Sequence, residues 1–539
     1  MKTKRLAAVG LSLALVLTTA VACSKSGSSG SSAPSASPQS TASGATPAGG
    51  KSAEPVTLKV MIAKDTVTGP LEKMKVFTEL EKEFNVKFQF IPVEREVAKE
   101  KVNLAFSASD LPDYIIGSLL SKQDILRFSQ SGQIVPLGEL VDKYAPNVKR
   151  VNQQYPKMLS SQTAPDGNIY TLPFVDNGRH NQVRSRMFIN RQWLTELKLD
   201  MPKTLDDFYK VLQAFKTEKK AIPLSGLPGN GMYNVGTIVL TGLGFPVVND
   251  LNNLGNFFFT DADKVKFVMT DPRYKEYLTY MNKLQKEGLL DPEYFTQTDA
   301  QHKAKGNALK YGVFGYSAAH TMLTDPAQQL QYAVLLPLTS PSNPAPIWPV
   351  TDNSNNIAFA MTKANKNKEL TMRIIDKGYE EDFAFAIRHP EPIYKDGILQ
   401  PDKLPEAFAG NNFGWVNAEI APIAAPYPYY YQTDKELKAT APKTGAQKVF
   451  LDGLYNLFDN YGRVAYPDIF FSEDDLKLIN LTSNDILTYV KEMEAKFILG
   501  SEPLANYDKF VDKIRSLGLD KLLAVYQKTY DNYKATAKK

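Results

Sequence analysis

Short apolar runs alternate with helix-spaced segments through most of this chain, and that alternation confines it to an α/β architecture. Val56 to Ala63 (VTLKVMIA) is dense in β-branched and apolar residues and reads as a buried strand. A break at Thr66–Pro70 follows, then Leu71–Phe84, with Met74, Phe77 and Leu80 on one helical face. Val86–Val93 alternates as a second strand, Lys99–Phe106 reads as a helix, and Leu111–Ile116 contains a third strand. Strand and helix in this order predict a mostly parallel sheet covered by helices. Ile134–Leu137 is strand-like, and Asp166-Gly167 is a tight turn into Ile169–Phe174.

From there the pattern restarts. Arg186–Asn190 is strand-like and Gln192–Leu197 helical; Thr204 caps a further helix, with Asp207 three residues on. A second α/β body is therefore expected. Tyr274–Glu287 predicts a helix closed at Gly288. Ile357–Met361 predicts a strand and Lys368–Tyr379 a helix. From about Asp434 the chain reads as chiefly helical, ending in Leu519–Thr529.

The N-terminus has a different character. Lys2, Lys4 and Arg5 precede an apolar run from Leu6 to about Leu17, too short to span a bilayer. Small residues then lead to Cys23, the one cysteine in 539 residues, so no internal disulfide can form. Residues 24–55 are a Ser/Gly/Ala/Pro tract with almost nothing to pack, expected to be a flexible tether. No later run reaches the roughly 18 consecutive apolar residues of a spanning helix.

Composition and motifs exclude several function classes. Lys and Arg total 63 against 58 Asp and Glu, and three of the basic residues fall in the first five positions. The remainder is nearly balanced, which speaks against nucleic acid as a partner. The four histidines (His180, His302, His320, His389) form no HExxH and no metal-ligand spacing. There is no G-x-S-x-G and no P-loop. Glu380-Glu381-Asp382 reads as a solvated helix end rather than a glycosidase pair. Asp250-x-Asn252-x-Leu254-Gly255, with Asp261 at position 12, resembles a calcium loop, but Leu254 replaces an oxygen ligand. A polar turn is the expectation there, and no metal or cofactor is assigned.

Thr18-Thr19-Ala20-Val21-Ala22-Cys23 resembles a bacterial lipobox, with Ala20 where Leu is usual; Ala20-Val21-Ala22 also fits an ordinary A-x-A secretory site that cuts the same bond. Asn103–Asp113 (NLAFSASDLPD), Gly132–Leu137 (GQIVPL), Asp166–Pro173 (DGNIYTLP), Phe188–Leu194 (FINRQWL) and Gly288–Glu293 (GLLDPE) follow one another in the order and spacing of extracellular solute-binding proteins. The chain resembles that family, which includes maltose-binding protein, and within it the long LipO-type lipoproteins of Gram-positive bacteria. The resemblance covers nearly all of the chain after the tether.

It implies an α/β, two-lobed type II periplasmic-binding-protein-like fold with a ligand cleft between the lobes and a helical C-terminal segment. The implied organisation is a signal peptide at 1–22 and a lipid-anchored linker at 23–55. Lobe 1 would take 56–175, lobe 2 176–336, lobe 1 again 337–410, and lobe 2 with the helical segment 411–539. Crossings are expected near 174–183 and 336–348, with a return near 410. The implied role is an ABC importer's substrate-binding lipoprotein, a monomer on the outer face of the cell membrane. Its partners would be permease subunits, the membrane through its lipid, and a carbohydrate, expected to be an oligosaccharide. A peptide or other polar solute is the alternative in the same fold. A surface polysaccharide-active enzyme is the alternative in another class, against which the lack of a convincing acid–base pair counts.

Sugars present apolar C–H faces and a rim of hydroxyls, so stacking aromatics beside Asp, Asn, Ser and Arg suit them. The candidate ligand residues are Asp65, Ser107, Asp110, Ser118, Asn177, Arg179, Tyr233, Phe314, Tyr316, Trp348, Asn353 and Trp415. Trp193 is expected in the core. The lipobox reading predicts that Cys23→Ser leaves the chain unprocessed or released to the medium. Retention at the membrane with lipid label, in a fractionation of metabolically labelled cells, would contradict it.

Overall fold

The computed structural model describes residues 54–65, 67–108, 110–352, 357–391, 394–395, 398–408, 415–421, 431–432, 442 and 444–537. Residues 1–53, with Cys23, and Asn353 lie outside them, and so do the expected signal peptide and nearly all of the expected tether. Among the described residues no helix is long and apolar enough to cross a membrane.

Nine strands form the two main sheets: β1 (Val56–Lys64), β2 (Val86–Glu94), β3 (Tyr114–Ile116), β4 (Thr171–Pro173), β5 (Met187–Asn190), β6 (Ile222–Ser225), β7 (Tyr311–Gly315), β8 (Tyr332–Val334) and β9 (Ile357–Met361). The first sheet has the order β2-β1-β3-β9-β4 and the second β8-β5-β7-β6. In the first, β1 pairs in parallel with β2 and β3, whereas β9 runs antiparallel to β3 and β4. In the second, β7 is parallel to β6 and antiparallel to β5, and β8 is antiparallel to β5.

β1 shows why its apolar run is nearly continuous. Leu58, Val60 and Ile62 face one buried cluster, while Met61 and Ala63 face another on the opposite side of the sheet. A strand covered on both faces needs apolar residues at both parities. The helices that cover it begin and end on local signals. Ser121 and Asp124 form a capping box ahead of Lys122–Gln130, and Asn85 closes Lys75–Phe84 in the left-handed conformation at φ 50°. The second lobe has its own core, in which Phe188, Leu212 and Phe314 meet Leu454, Val490 and Leu522 of the C-terminal helices.

Several expectations shift. Ile134 makes one bridge to Thr362 instead of a strand, because Pro136 interrupts the run. The helix expected over Leu71–Phe84 is a 3-10 turn at Leu71–Lys73 followed by Lys75–Phe84. The lobe boundaries expected at 337 and 411 also move. Leu338, Trp348 and Val350 still pack in the second core, and the chain rejoins the first sheet only at Ile357. Trp415, Val416 and Ile420 still pack in the first core, and the second is regained by Phe450. The segment from Pro337 to Pro349 carries five prolines and no periodicity, so only packing decides its side. The C-terminal part also touches the first lobe: Phe470 sits in its outer cluster, and Lys122 pairs with Asp468 at 3.0 Å.

One buried acid ties the C-terminal helices to the second lobe. Glu494, on Glu473–Leu499, is 3% exposed. It accepts from the Tyr274 hydroxyl at 2.6 Å, the Tyr277 hydroxyl at 3.0 Å and Asn249 Nδ2 at 3.1 Å. Burial pushes its carboxyl pKa above the ordinary 4.5. The folded state therefore holds this proton more tightly than the unfolded chain. Its contribution to stability is fully present below pH 4.5 and declines as pH rises through the folded pKa. Glu494→Ala is expected to cost about 2–4 kcal/mol by leaving three donors unsatisfied. In urea melts, the advantage of wild type over Glu494→Gln should shrink between pH 4.5 and 7.5; a constant or growing difference would contradict the sign.

Candidate ligand-binding site

Strand register determines which edges of the two sheets can meet. In the first sheet the aligned ends are Ile62, Ile116, Ile357 and Pro173. In the second they are Ser225, Gly315, Met187 and Val334. One connection runs from Pro173 to Met187 and another from Val334 to Ile357, so both join these two edges. The loops that follow the parallel strands gather there, where open α/β sheets take their ligands.

On the first lobe, Asp65 follows β1, Arg95 follows β2 and Ser118 follows β3. The pairing Lys64↔Glu94 brings Asp65 beside Arg95, whose Nε donates to Asp65 Oδ1 at 3.0 Å. Gly117, at φ +90°, packs so tightly on Ala63 that a Cβ there would lie 2.7 Å from the alanine methyl. Ser118 is then forced to φ +58°. Its Oγ and the Arg95 Nη2 are both buried without a hydrogen-bond partner. Two unsatisfied polar groups at one sheet edge are the kind of exception that a bound polar ligand resolves.

On the second lobe, the rings of Tyr233 and Tyr316 stack with centroids 4.5 Å apart and planes at 25°. Tyr316 is buried and Tyr233 half-buried, so Tyr233 is the outer ring. Two glycines make the arrangement possible. The main-chain oxygen of Tyr233 lies so close to Gly226 and Gly315 that a Cβ on either would stand 2.2 or 2.3 Å from it. Arg186 adjoins the pair. Its Nη1 donates to Ser317 O at 2.8 Å and its Nε to Val183 O at 3.1 Å, and the guanidinium lies 5.5 Å over Phe450. Burial pulls its pKa down to about 10, so it stays charged near neutral pH. Burial lifts the Tyr316 phenol to about 12, which keeps it a neutral hydroxyl. A cavity of about 590 Å³ is lined in part by Arg184, Met232, Asp250, Asp352, Tyr466 and Asp468, and none of Asp65, Arg95, Ser118, Arg186, Tyr233 and Tyr316 lines it.

Asp65, Ser118, Tyr233 and Tyr316 thus gather at the facing edges. The other candidates among the described residues are engaged elsewhere. Asp110 pairs with Lys59 at 2.6 Å and lies with Ser107 before β3, at the opposite edge. A loop leading into a parallel strand must lie at the end away from the one following it. Phe314 is fully buried between Phe188 and Tyr332. Trp348 is fully buried and donates to Ser185 O at 3.0 Å. Trp415 packs in the first lobe's core and donates to Glu419 at 2.8 Å. Asn177 is buried and donates to the Tyr155 hydroxyl. Arg179 pins the first crossing through Asp459, at 3.2 Å, and the Phe458 ring. In the 250–261 turn, Asp250 accepts from Asn252 N and Asn256 Nδ2, while Asp261 pairs with Lys266. Among the described residues no group of three or more His, Cys, Asp or Glu could hold a metal. Arg95 and Arg186 escaped the sequence reading. The available signal was an arginine directly abutting an apolar strand.

The profile of bacterial extracellular solute-binding proteins matches residues 63–382. This chain belongs to that family. A substrate-binding protein of Streptococcus pneumoniae serotype 4, the fructooligosaccharide ABC transporter protein FusA, is 30% identical over 89% of this chain and 91% of its own. The solved structure of FusA with kestose is 27% identical, with a TM-score of 0.66 over 89% of this chain and all of that one. YtcQ of Bacillus subtilis, a polygalacturonan/rhamnogalacturonan-binding protein, is 23% identical over 86% of this chain and 89% of its own. An extracellular solute-binding protein of Bifidobacterium longum subsp. infantis shares the fold, with a TM-score of 0.73 at 20% identity over 89% of this chain and 98% of that one. The fold of this chain is the two-lobed α/β type of these binding proteins.

The two glycine contacts generate a prediction that needs no ligand. Gly315→Ala places a Cβ against the Tyr233 main chain. The expected outcome is destabilisation by about 1–3 kcal/mol, the usual cost of overpacking, with an altered near-ultraviolet tyrosine dichroism. Gly229→Ala meets nothing within 4 Å and serves as the neutral comparison.

Proposed function

We propose that this chain is the substrate-binding lipoprotein of an ABC importer, held outside the cell by a lipid on Cys23. It captures an oligosaccharide between its lobes and does not turn it over. The observation that carries the reading is the stacked Tyr233–Tyr316 pair. It sits at the sheet edge opposite one holding unsatisfied Arg95 and Ser118 groups. An outer aromatic ring takes the C–H face of a pyranose or furanose, and the polar groups take its hydroxyls. The resemblance to FusA and YtcQ, whose names specify a fructooligosaccharide and polygalacturonan/rhamnogalacturonan, supports a glycan over a peptide.

Both lobes contribute to such a site, so the ligand favours the closed form only through contacts it gains on closure. Titration calorimetry with kestose-sized fructooligosaccharides, galacturonan fragments and mixed peptides tests the reading. A saccharide is expected to bind, to raise the melting temperature and to reduce the radius of gyration in small-angle scattering. Tyr233→Ala should weaken it by about 1–3 kcal/mol, roughly 5- to 150-fold, as for other truncated anchors. Heat only from peptides would favour the peptide alternative. Release of reducing ends by the purified protein would overturn the non-enzymatic reading.

A further inference from the structure

Beneath the tyrosine pair lies a buried polar network that the binding site itself does not use. It belongs to the segment from Asp291 through the helix Asp299–Asn307. Gln297 Nε2 donates to Gly226 O at 2.8 Å, and His302 Nε2 meets Gly315 O at 3.1 Å. These are the two glycines between which the Tyr233 main chain is wedged. One segment therefore holds, from below, the carbonyl at each of the two strand ends that carry the aromatic wall.

Chemistry fixes the hydrogen positions at His302. Gly315 O can only accept, so Nε2 carries the hydrogen and Nδ1 presents a lone pair. The Tyr311 hydroxyl, 3.0 Å away, donates to it. Ser225 Oγ, 3.5 Å from Nδ1, already donates to Asp291 Oδ2 at 2.7 Å. Asp291 is itself held by Lys305 at 2.9 Å, and Lys305 also pairs with Glu293 at 2.8 Å. His302 is fully buried, and its ring centroid lies 5.9 Å from that of Tyr316, the residue after Gly315.

We propose that His302, in its neutral Nε2–H form, is a positioning residue for ligand binding: it fixes the Gly315 carbonyl and through it the Tyr316–Tyr233 wall. Gln297 does the same at Gly226. This rests on the carbohydrate reading for its ligand, but the positioning of the wall does not. A second proton on His302 would turn Nδ1 from acceptor to donor. The Tyr311 hydroxyl would then have to give its hydrogen to His302 O, at a poorer 3.3 Å. Burial lowers the His302 pKa below the ordinary 6.5; the Gly315 carbonyl, Asp291 and Asp299 oppose that shift and Lys305 adds to it. Tyr311 and Tyr316 are neutral hydroxyls, and Lys303 lies 5.8 Å from the Tyr316 ring on the side of the same helix. The affinity loss on acidification belongs below pH 6.5.

The test compares His302→Asn, whose amide reaches only the Nδ1 position, with His302→Gln, whose amide nitrogen reaches the Nε2 position. Dissociation constants are measured for the tightest saccharide from pH 5 to 8, together with the ¹⁹F shift of 3-fluorotyrosine placed at 316 in ligand-free protein. His302→Asn should weaken binding about tenfold or more and move the ¹⁹F signal. His302→Gln should stay within about threefold of wild type and lose the weakening below pH 6.5. His320→Gln, on the neighbouring Phe450 side, should keep it. If His302→Asn does not fold, Gln297→Ala replaces it with the same expectations. Equal affinities in the Asn and Gln variants, an unmoved ¹⁹F signal, or an acid-side weakening that survives in His302→Gln and vanishes in His320→Gln would each overturn the proposal. If no saccharide binds wild type, the carbohydrate reading fails, and the ¹⁹F shift alone still decides whether His302 positions the wall.

Discussion

The strand Ile357–Met361 runs antiparallel to both of its neighbours in a sheet whose other pairings are parallel. Hydrogen-bond geometry leaves an inserted strand two directions, and this one sends the chain back into the first sheet from the end where β3 and β4 finish. The connections Pro173–Met187 and Val334–Ile357 then leave and arrive at the same pair of sheet edges. The loops following β1, β2 and β3 gather at one edge, and those following β6 and β7 at the other. The placement of the candidate site is a consequence of that direction.

Close main-chain approach does the finer work. At Gly117, and again at Gly226 and Gly315, a side chain would collide with a neighbouring strand or loop. The absence of a Cβ lets Ser118 sit against the end of β1 and lets Tyr233 settle across two strand ends. What lies underneath is polar and fully buried: Ser225, Asp291 and His302 are each at most 1% exposed. Buried polar groups of this kind are costly unless satisfied: Ser225 donates to Asp291, His302 meets the Gly315 carbonyl, and Gln297 donates to the Gly226 carbonyl. The same logic appears at Glu494, where one carboxyl collects donors from two other segments and binds the C-terminal helices to the second lobe.

The two lobes are not joined by crossings alone. Phe470 lies in the first lobe's outer cluster while Phe471 packs against the second, so adjacent residues point into different bodies. Lys122–Asp468 and Lys157–Asp352 add ion pairs between the first lobe and the segments beside the cavity. Lys122 is largely buried, and desolvation lowers its pKa despite Asp468. Any hinge motion in this molecule has to accommodate these contacts as well as the crossings.

Local signals in the sequence were sufficient where structure is local. The apolar parity of Val56–Ala63, the Thr204–Asp207 cap and the helix stop at Gly288 follow from strand period, capping chemistry and glycine's access to positive φ, and each can be read from a few neighbouring residues. The order of such steps along the chain also carried the family and the two-lobed fold. Which aromatics reach the cleft was another matter. Trp348, Trp415 and Phe314 have the composition of ligand-stacking residues, yet all three are buried in lobe cores. Tyr233 and Arg186 gain their places from strands far apart in sequence. Ser107 and Asp110 lie near a cleft-forming strand but at its wrong end, a distinction that only strand direction makes. Secondary structure depends on contacts a few residues apart, which a sequence displays. A site between lobes depends on register, strand direction and burial across hundreds of residues, which exist only once the chain has closed on itself.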